Sequence, residues 1–258
     1  MSFEEIVLDG FHGREEALSE IKRYTPFASV MYYRTNNLIH SRRVLWHLEA
    51  AVPDILGAFG SEFDVEFART LASVHDDAEI LTGDAQLYDK ERMSAEELSN
   101  LEAEEIDATY MLATVSPKYV NGFSYLDLLL TAKKKDRLES QMVSFFDKFD
   151  AAGEAWHEVA AGNKRFLRPA GGIPGEGDYV RRLNEFPLKY SALVPFFERT
   201  PEYLPEPFDF VSLAERGILH TEPSLSFGSE YFPYEMWKRT VMEREGTKIL
   251  TTQVEFDD

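Results

Sequence analysis

The hydrophobic positions along the chain recur with a helical period. In REEALSEIKRY (14–24), Ala17, Leu18 and Ile21 fall on one side of a 3.6-residue repeat. In LIHSRRVLWHLEAAVPDIL (38–56), Leu38, Val44, Leu45, Leu48 and Ala51 form an apolar stripe, and Pro53 is expected to end or kink the helix. DVEFARTLASVHDDAEILTG (64–83) predicts a third helix, with Val65, Phe67, Ala68, Leu71, Ala72, Ala78 and Ile80 mostly inward and Gly83 as its stop. In MSAEELSNLEAEEIDATYMLA (93–113), Ser94 followed by Glu97 is the signature of a capping box. The stretch from Ser124 to Asn163 supplies one or two more helices, ending at Gly162–Asn163. No segment of similar length alternates as a strand would, so the pattern predicts an all-α core from about 14 to 163.

The composition shifts at RPAGGIPGEGD (168–178), a Gly/Pro loop. Beyond it the chain is rich in Pro and aromatics, as in FPLKYSALVPFF and YLPEPFDF. The expected organisation is a helical core over 1–167 and a C-terminal extension over 168–258 packed on it. The chain has 258 residues, among them 19 Phe and 12 Tyr, enough for a well-packed interior.

Charge narrows the chemistry. A net charge of −19 repels nucleic acid polymers and anionic membrane surfaces, but a small phosphorylated substrate remains open if a local cation reverses the potential. The absence of cysteine excludes disulfides, thiolate nucleophiles and Cys-based zinc sites. The N-terminal MSFEEIVLDG lacks the basic and apolar regions of a secretory signal, and no apolar run of spanning length follows, so a cytoplasmic location is expected.

The stretch SVHDDAEILTGD (73–84) poses the sharpest question: a solvated acidic turn, or one wall of a metal site. His75 and Glu79 are four apart and share a helix face, with Asp76 rotated about 100° from His75. One imidazole from an earlier helix (His40), the His75–Asp76 pair and a later Asp would make a mixed N/O set. Such a set suits Mn²⁺, Fe²⁺, Co²⁺, Ni²⁺ or Zn²⁺. His47 reads as structural, and KKK (133–135) as a solvated face or a phosphate-attracting rim.

RTNNLIHS (34–41) followed by HDDAEILTGD (75–84) resembles the HD-domain phosphohydrolases, and within them the YfbR-like 5′-deoxynucleotidases. The resemblance covers roughly 14–165. It implies an all-α HD-domain helical bundle, usually dimeric, that uses a divalent transition metal to release phosphate from deoxynucleoside monophosphates. Relatives act on nucleoside triphosphates or other phosphate esters. It also implies metal ligands at His40, His75 and Asp76. Counting back from AAGN (160–163) puts the last ligand at Asp147, with Asp150 the alternative three residues on. Glu79 would handle the proton of the attacking water, and Asp84 would sit on the substrate side. IKRYTPF (21–27) is similar to an early family segment, which makes Arg23 the candidate phosphate clamp, with Arg34 a further substrate candidate. Tyr24 stands where the family carries Trp. A non-catalytic nucleotide- or partner-binding protein of the same fold is the rival from a different class.

Overall fold

The computed structural model describes residues 10–24, 35–85, 90, 93–167, 176–206, 209–216 and 232–245. Arg34 lies outside the described residues. The all-α expectation holds, with eleven helices among the described residues that the text below uses.

In the first half these are α1 (Arg14–Glu20), α2 (Asn37–Phe59), α3 (Val65–Val74), α4 (Glu79–Thr82) and α5 (Ala95–Val115). Asn36, Asp64 and Ser94 cap α2, α3 and α5, each side chain accepting a backbone N–H three residues on. At Ser94 the capping box is complete, since Glu97 returns a carboxylate to the Ser94 N–H at 2.7 Å. The helix α2 continues through Pro53 to Phe59, so the proline does not end it. Proline removes one hydrogen bond, and burial of Ala51 and Ile55 on either side holds the helical path against that loss.

A small antiparallel hairpin, β1 (Tyr119–Val120) with β2 (Phe123–Ser124), interrupts the helices. Asn121 and Gly122 turn it with φ of 49° and 84°. An Asn-Gly pair suits that double left-handed turn, and it was the signal in the sequence for the only strands among the described residues. Then follow α6 (Tyr125–Lys134) and α7 (Leu138–Ala160), with Lys135 between them in the left-handed conformation (φ 53°).

The central helix is α7, which packs against α2, α3 and α6. From beyond the Gly/Pro loop it is also met by α8 (Glu176–Lys189), α10 (Phe210–Arg216) and α11 (Phe232–Glu245). The short α9 (Val194–Arg199) lies on α2. Phe145 of α7 meets Phe186, Phe196, Phe197 and Tyr203 at centroid separations of 4.9–6.4 Å, mostly edge to face. Such pairs add about 0.5–1.5 kcal/mol each beyond the area they bury. One hydrophobic cluster therefore runs without a break from α2 and α3 into the C-terminal helices. From Met142 to Ala160 every residue of α7 is buried except Asp147 and Lys148. These two mark where the helix faces a cavity.

Candidate metal and phosphate site

The predicted third helix is in fact two. The helix α3 ends at Val74, His75–Ala78 form a tight turn, and α4 begins at Glu79. Successive i+3 backbone bonds make the turn, from Asp77 N–H to Val74 and from Glu79 N–H to Asp76. Gly83 stops α4 with φ 73° as expected. Asp77 holds the turn in place. It is fully buried. Arg14 Nε donates to it at 2.7 Å, Tyr125 Oη at 2.7 Å, and Arg14 also donates to the Ser73 carbonyl. A buried carboxylate needs such partners, and here they tie α1 and α6 to the turn.

The turn presents His75 and Asp76 to His40 on α2 and Asp147 on α7. His75 Nδ1 lies 2.8 Å from the Ala72 carbonyl, a partner that only accepts, so Nδ1 carries the proton and Nε2 the lone pair. His40 Nδ1 lies 2.7 Å from Asp150 Oδ2, which fixes the same tautomer when the ring is neutral. The two Nε2 atoms are buried and have no hydrogen-bond partner. Asp76 Oδ1 is 3.3 Å from His75 Nε2, and Asp76 Oδ2 is 3.6 Å from His40 Nε2. Asp147 Oδ1 is 3.3 Å from His40 Nε2. Ligand atoms of His40, His75 and Asp76 lie within 4.8 Å of one another, and Asp147 borders them at His40, a donor set that fits a divalent transition metal.

A second acidic grouping, His40 with Asp150 and Glu154, also has the spacing to hold an ion. Its charges are already compensated. Asp150 takes the His40 N–H, and Glu154 lies between Arg23 (3.3 Å) and Arg43 (3.2 Å). This grouping serves as the support behind the first one. The structure thus separates the two candidate aspartates: Asp147 reaches the Nε2 side of His40 and Asp150 the Nδ1 side. Asp150 Oδ1 also accepts from Trp237 Nε1 of α11 at 2.7 Å, with His47 Nε2 at 3.4 Å. The indole lies flat on α7 because residue 153 is glycine; a Cβ there would come within 2.1 Å of the Trp237 ring.

The electrostatics follow from this packing. Burial and Arg23 work against a charged His40, but the carboxylates of Asp147 and Asp150 outweigh them and raise its pKa to about 10. Glu79 is pushed well above the ordinary carboxylate range by burial and by Asp76 and Asp84, with Asn37 and Arg23 opposing. Asn37 Nδ2 donates to Glu79 Oε2. Glu79 therefore holds a proton more readily than an exposed glutamate does.

Two cavities meet at this wall, of about 440 and 260 Å³. Both are lined by Asp76, Glu79 and Asp147. Arg23 and Asp84 line the smaller one, where Tyr179 and Arg182 of α8 close it. The Tyr24 hydroxyl meets that of Tyr179 at 3.0 Å. Asn37, Glu154 and Trp237 are the supporting residues that motif spacing missed. Only the acidic series Asp147, Asp150 and Glu154, on one stripe of an apolar helix, signalled any part of this support.

An all-helical fold that brings a lone histidine, a His-Asp pair and a later aspartate to one cavity is of the HD type. A model of the YfbR-like 5′-deoxynucleotidases matches residues 16–174, and the chain belongs to that family. Membership places it in a class of phosphohydrolases. No curated protein matches the chain. Among solved structures it is similar to a conserved hypothetical protein from Pyrococcus furiosus at 22% identity and a TM-score of 0.53. The likeness covers 73% of this chain and 96% of the other, and it concerns the fold.

Proposed function

We propose that the protein is a metal-dependent phosphohydrolase that releases inorganic phosphate from deoxynucleoside 5′-phosphates, with the 5′-monophosphate as the simplest substrate. The observation that carries this reading is the pair of buried, unpartnered Nε2 atoms of His40 and His75, converging with Asp76 and Asp147 on a cavity edged by Arg23. These four side chains would hold the cation. When bound, the cation supplies charge neutralisation for the phosphate and activation of water.

The chain's own residues account for the rest. Glu79 would take a proton from the attacking water as the new P–O bond forms. It would then return a proton to the deoxynucleoside oxygen as the old P–O bond breaks. Its raised pKa suits both halves of that task. Arg23, anchored through Nε on Glu154, would orient the phosphate, since a guanidinium matches phosphate oxygens in two-pronged fashion. Asp84 carries the wrong charge for phosphate and would meet the sugar or base. Arg34 is kept as a further substrate contact. A homodimer in the cytoplasm, without nucleic acid or membrane partners, completes the reading. Among the described residues no helix is long and apolar enough to cross a membrane.

The test is phosphate release from a panel of nucleotides by the purified protein loaded with Mn²⁺ or Co²⁺. Glu79→Gln should lower kcat by roughly 10²–10⁴-fold while metal content stays unchanged. Bound metal with no turnover of any phosphate ester would instead favour a non-catalytic binding protein.

A further inference from the structure

The chain has only 27 Lys and Arg against 46 acidic residues, yet five lysines line the larger cavity: Lys90, Lys133, Lys134, Lys135 and Lys148. Three have carboxylate partners. Glu105 holds Lys90 at 3.3 Å and Lys133 at 2.7 Å, which fixes two ammonium groups on one wall, and Lys148 lies 2.9 Å from Asp147. Lys135 is different. It is half-buried, it has no ion-pair or hydrogen-bond partner for its amine among the described residues, and it lines both cavities where they meet.

The backbone adds an independent observation. Lys135 caps the C-terminus of α6 in the left-handed conformation, φ 53°, with its N–H on the Thr131 carbonyl. That position favours glycine, and an L-residue with a long side chain is strained there. A strained residue persists where the surrounding structure holds it, commonly at sites where its side chain has work to do. Here the residue is Lys135, whose amine has no hydrogen-bond or ion-pair partner among the described residues and which lines the cavities with Asp76 and Asp147. Of the carboxyl groups on the same walls, Glu105 pairs with Lys90 and Lys133, Asp147 with Lys148 and His40, Asp76 faces the histidines and Glu79 is bonded to Asn37.

We propose that Lys135, flanked by Lys133 and Lys148, forms a second anion subsite next to the cation cluster. The preferred substrate is then a nucleotide that carries a second phosphoryl group beside the one hydrolysed. This rests on the reading that phosphate is hydrolysed at the cluster. A single phosphate at the cluster with Arg23 leaves the lysine wall unused; a second phosphoryl group pairs with it.

The experiment compares kcat/KM of the Mn²⁺-loaded full chain for dAMP, dADP and deoxyadenosine 3′,5′-bisphosphate, in wild type, Lys135→Met and Lys135→Gly. The wild type should favour one doubly phosphorylated substrate over dAMP by about tenfold or more, the size of one charge-assisted contact. Which of the two it favours places the second group along the phosphate chain or on the 3′ oxygen. Both variants should bring that ratio down to about one, and Lys135→Gly should do so with an equal or higher Tm. A ratio that is the same in wild type and both variants overturns the subsite. Binding of inorganic pyrophosphate to the metal-free chain, measured by calorimetry, provides the second arm. Weaker binding by both variants with no turnover of any substrate would retain the subsite and refute the hydrolase reading; equal binding would refute the subsite.

Discussion

At its Nδ1 face His40 meets a sealed, hydrogen-bonded carboxylate, while at its Nε2 face it meets carboxylates that are open to a cavity. Behind the ring, Asp150 accepts from His40 at 2.7 Å and from Trp237 at 2.7 Å, and these three residues are at most 1% exposed. In front, Asp76 and Asp147 keep 15% and 17% of their side-chain surface accessible, and both Nε2 atoms have no partner. The contrast teaches that the two sides have different costs. Behind the ring Asp150 is bonded to both His40 and Trp237, so removing it strands their donors in a dry interior. In front, Asp147 pairs with Lys148 at 2.9 Å and Asp76 faces the two histidines, but both Nε2 atoms stay without a hydrogen-bond partner, an arrangement open to a bound cation.

Removing Asp76 tests the front most severely. Asp76→Asn should lower phosphate release with Mn²⁺ by roughly 10²–10³-fold or more, the scale on which loss of one preorganised electrostatic group acts. Without metal, its Tm should stay within about 2–4 °C of wild type, the shift produced by 1 kcal/mol in a chain of this size. A large fall in Tm would erase the contrast.

The rear should respond in the opposite sense. Asp150→Ala strands the His40 and Trp237 donors, which should cost about 3–5 kcal/mol and lower Tm by roughly 6–20 °C. Thermal unfolding followed by circular dichroism reads this directly. Trp237→Phe is gentler, keeping the ring on Gly153 but deleting the indole N–H. Metal affinity should fall by about 10–100-fold, as for other partners that orient a ligating histidine, with a small loss of Tm. Unchanged affinity would reduce α11 to a packing element.

The smallest effect concerns pH. Burial and the neighbouring Lys148 lower the Lys135 amine to about 8, against the pull of Asp147. The amine is charged below that value and neutral above it. The preference for doubly phosphorylated over singly phosphorylated nucleotides should therefore be larger at pH 7 than at pH 9. A ratio that rises with pH would argue against Lys135 as its source.

Much of this was legible in the order of residues. The 3.6-residue periodicity located the long helices, and Ser94 and Gly83 marked their ends, because capping is local chemistry. His40, His75, Asp76 and Glu79 stood out because helical spacing and motif register are properties of the chain itself. Asp77 shows the complementary limit: its partners Arg14 and Tyr125 lie 63 and 48 residues away, and no local pattern announces them. The break after Val74 escaped notice because the apolar positions continue across it.

The amino-acid sequence by itself determined an all-helical chain, an acidic exterior and a set of residues able to hold a cation and move a proton. It placed Asp147 and Asp150 on neighbouring parts of one helix face and could go no further, since three residues of spacing say nothing about which side of a distant imidazole each will meet. Tertiary structure decided that, by crossing α7 with α2 so that Asp147 reaches Nε2 and Asp150 reaches Nδ1. It also brought Trp237 to Asp150, across 87 residues, through the gap that Gly153 leaves. Periodicity records which face of a helix is buried; only the packing of one helix against another decides what that face touches.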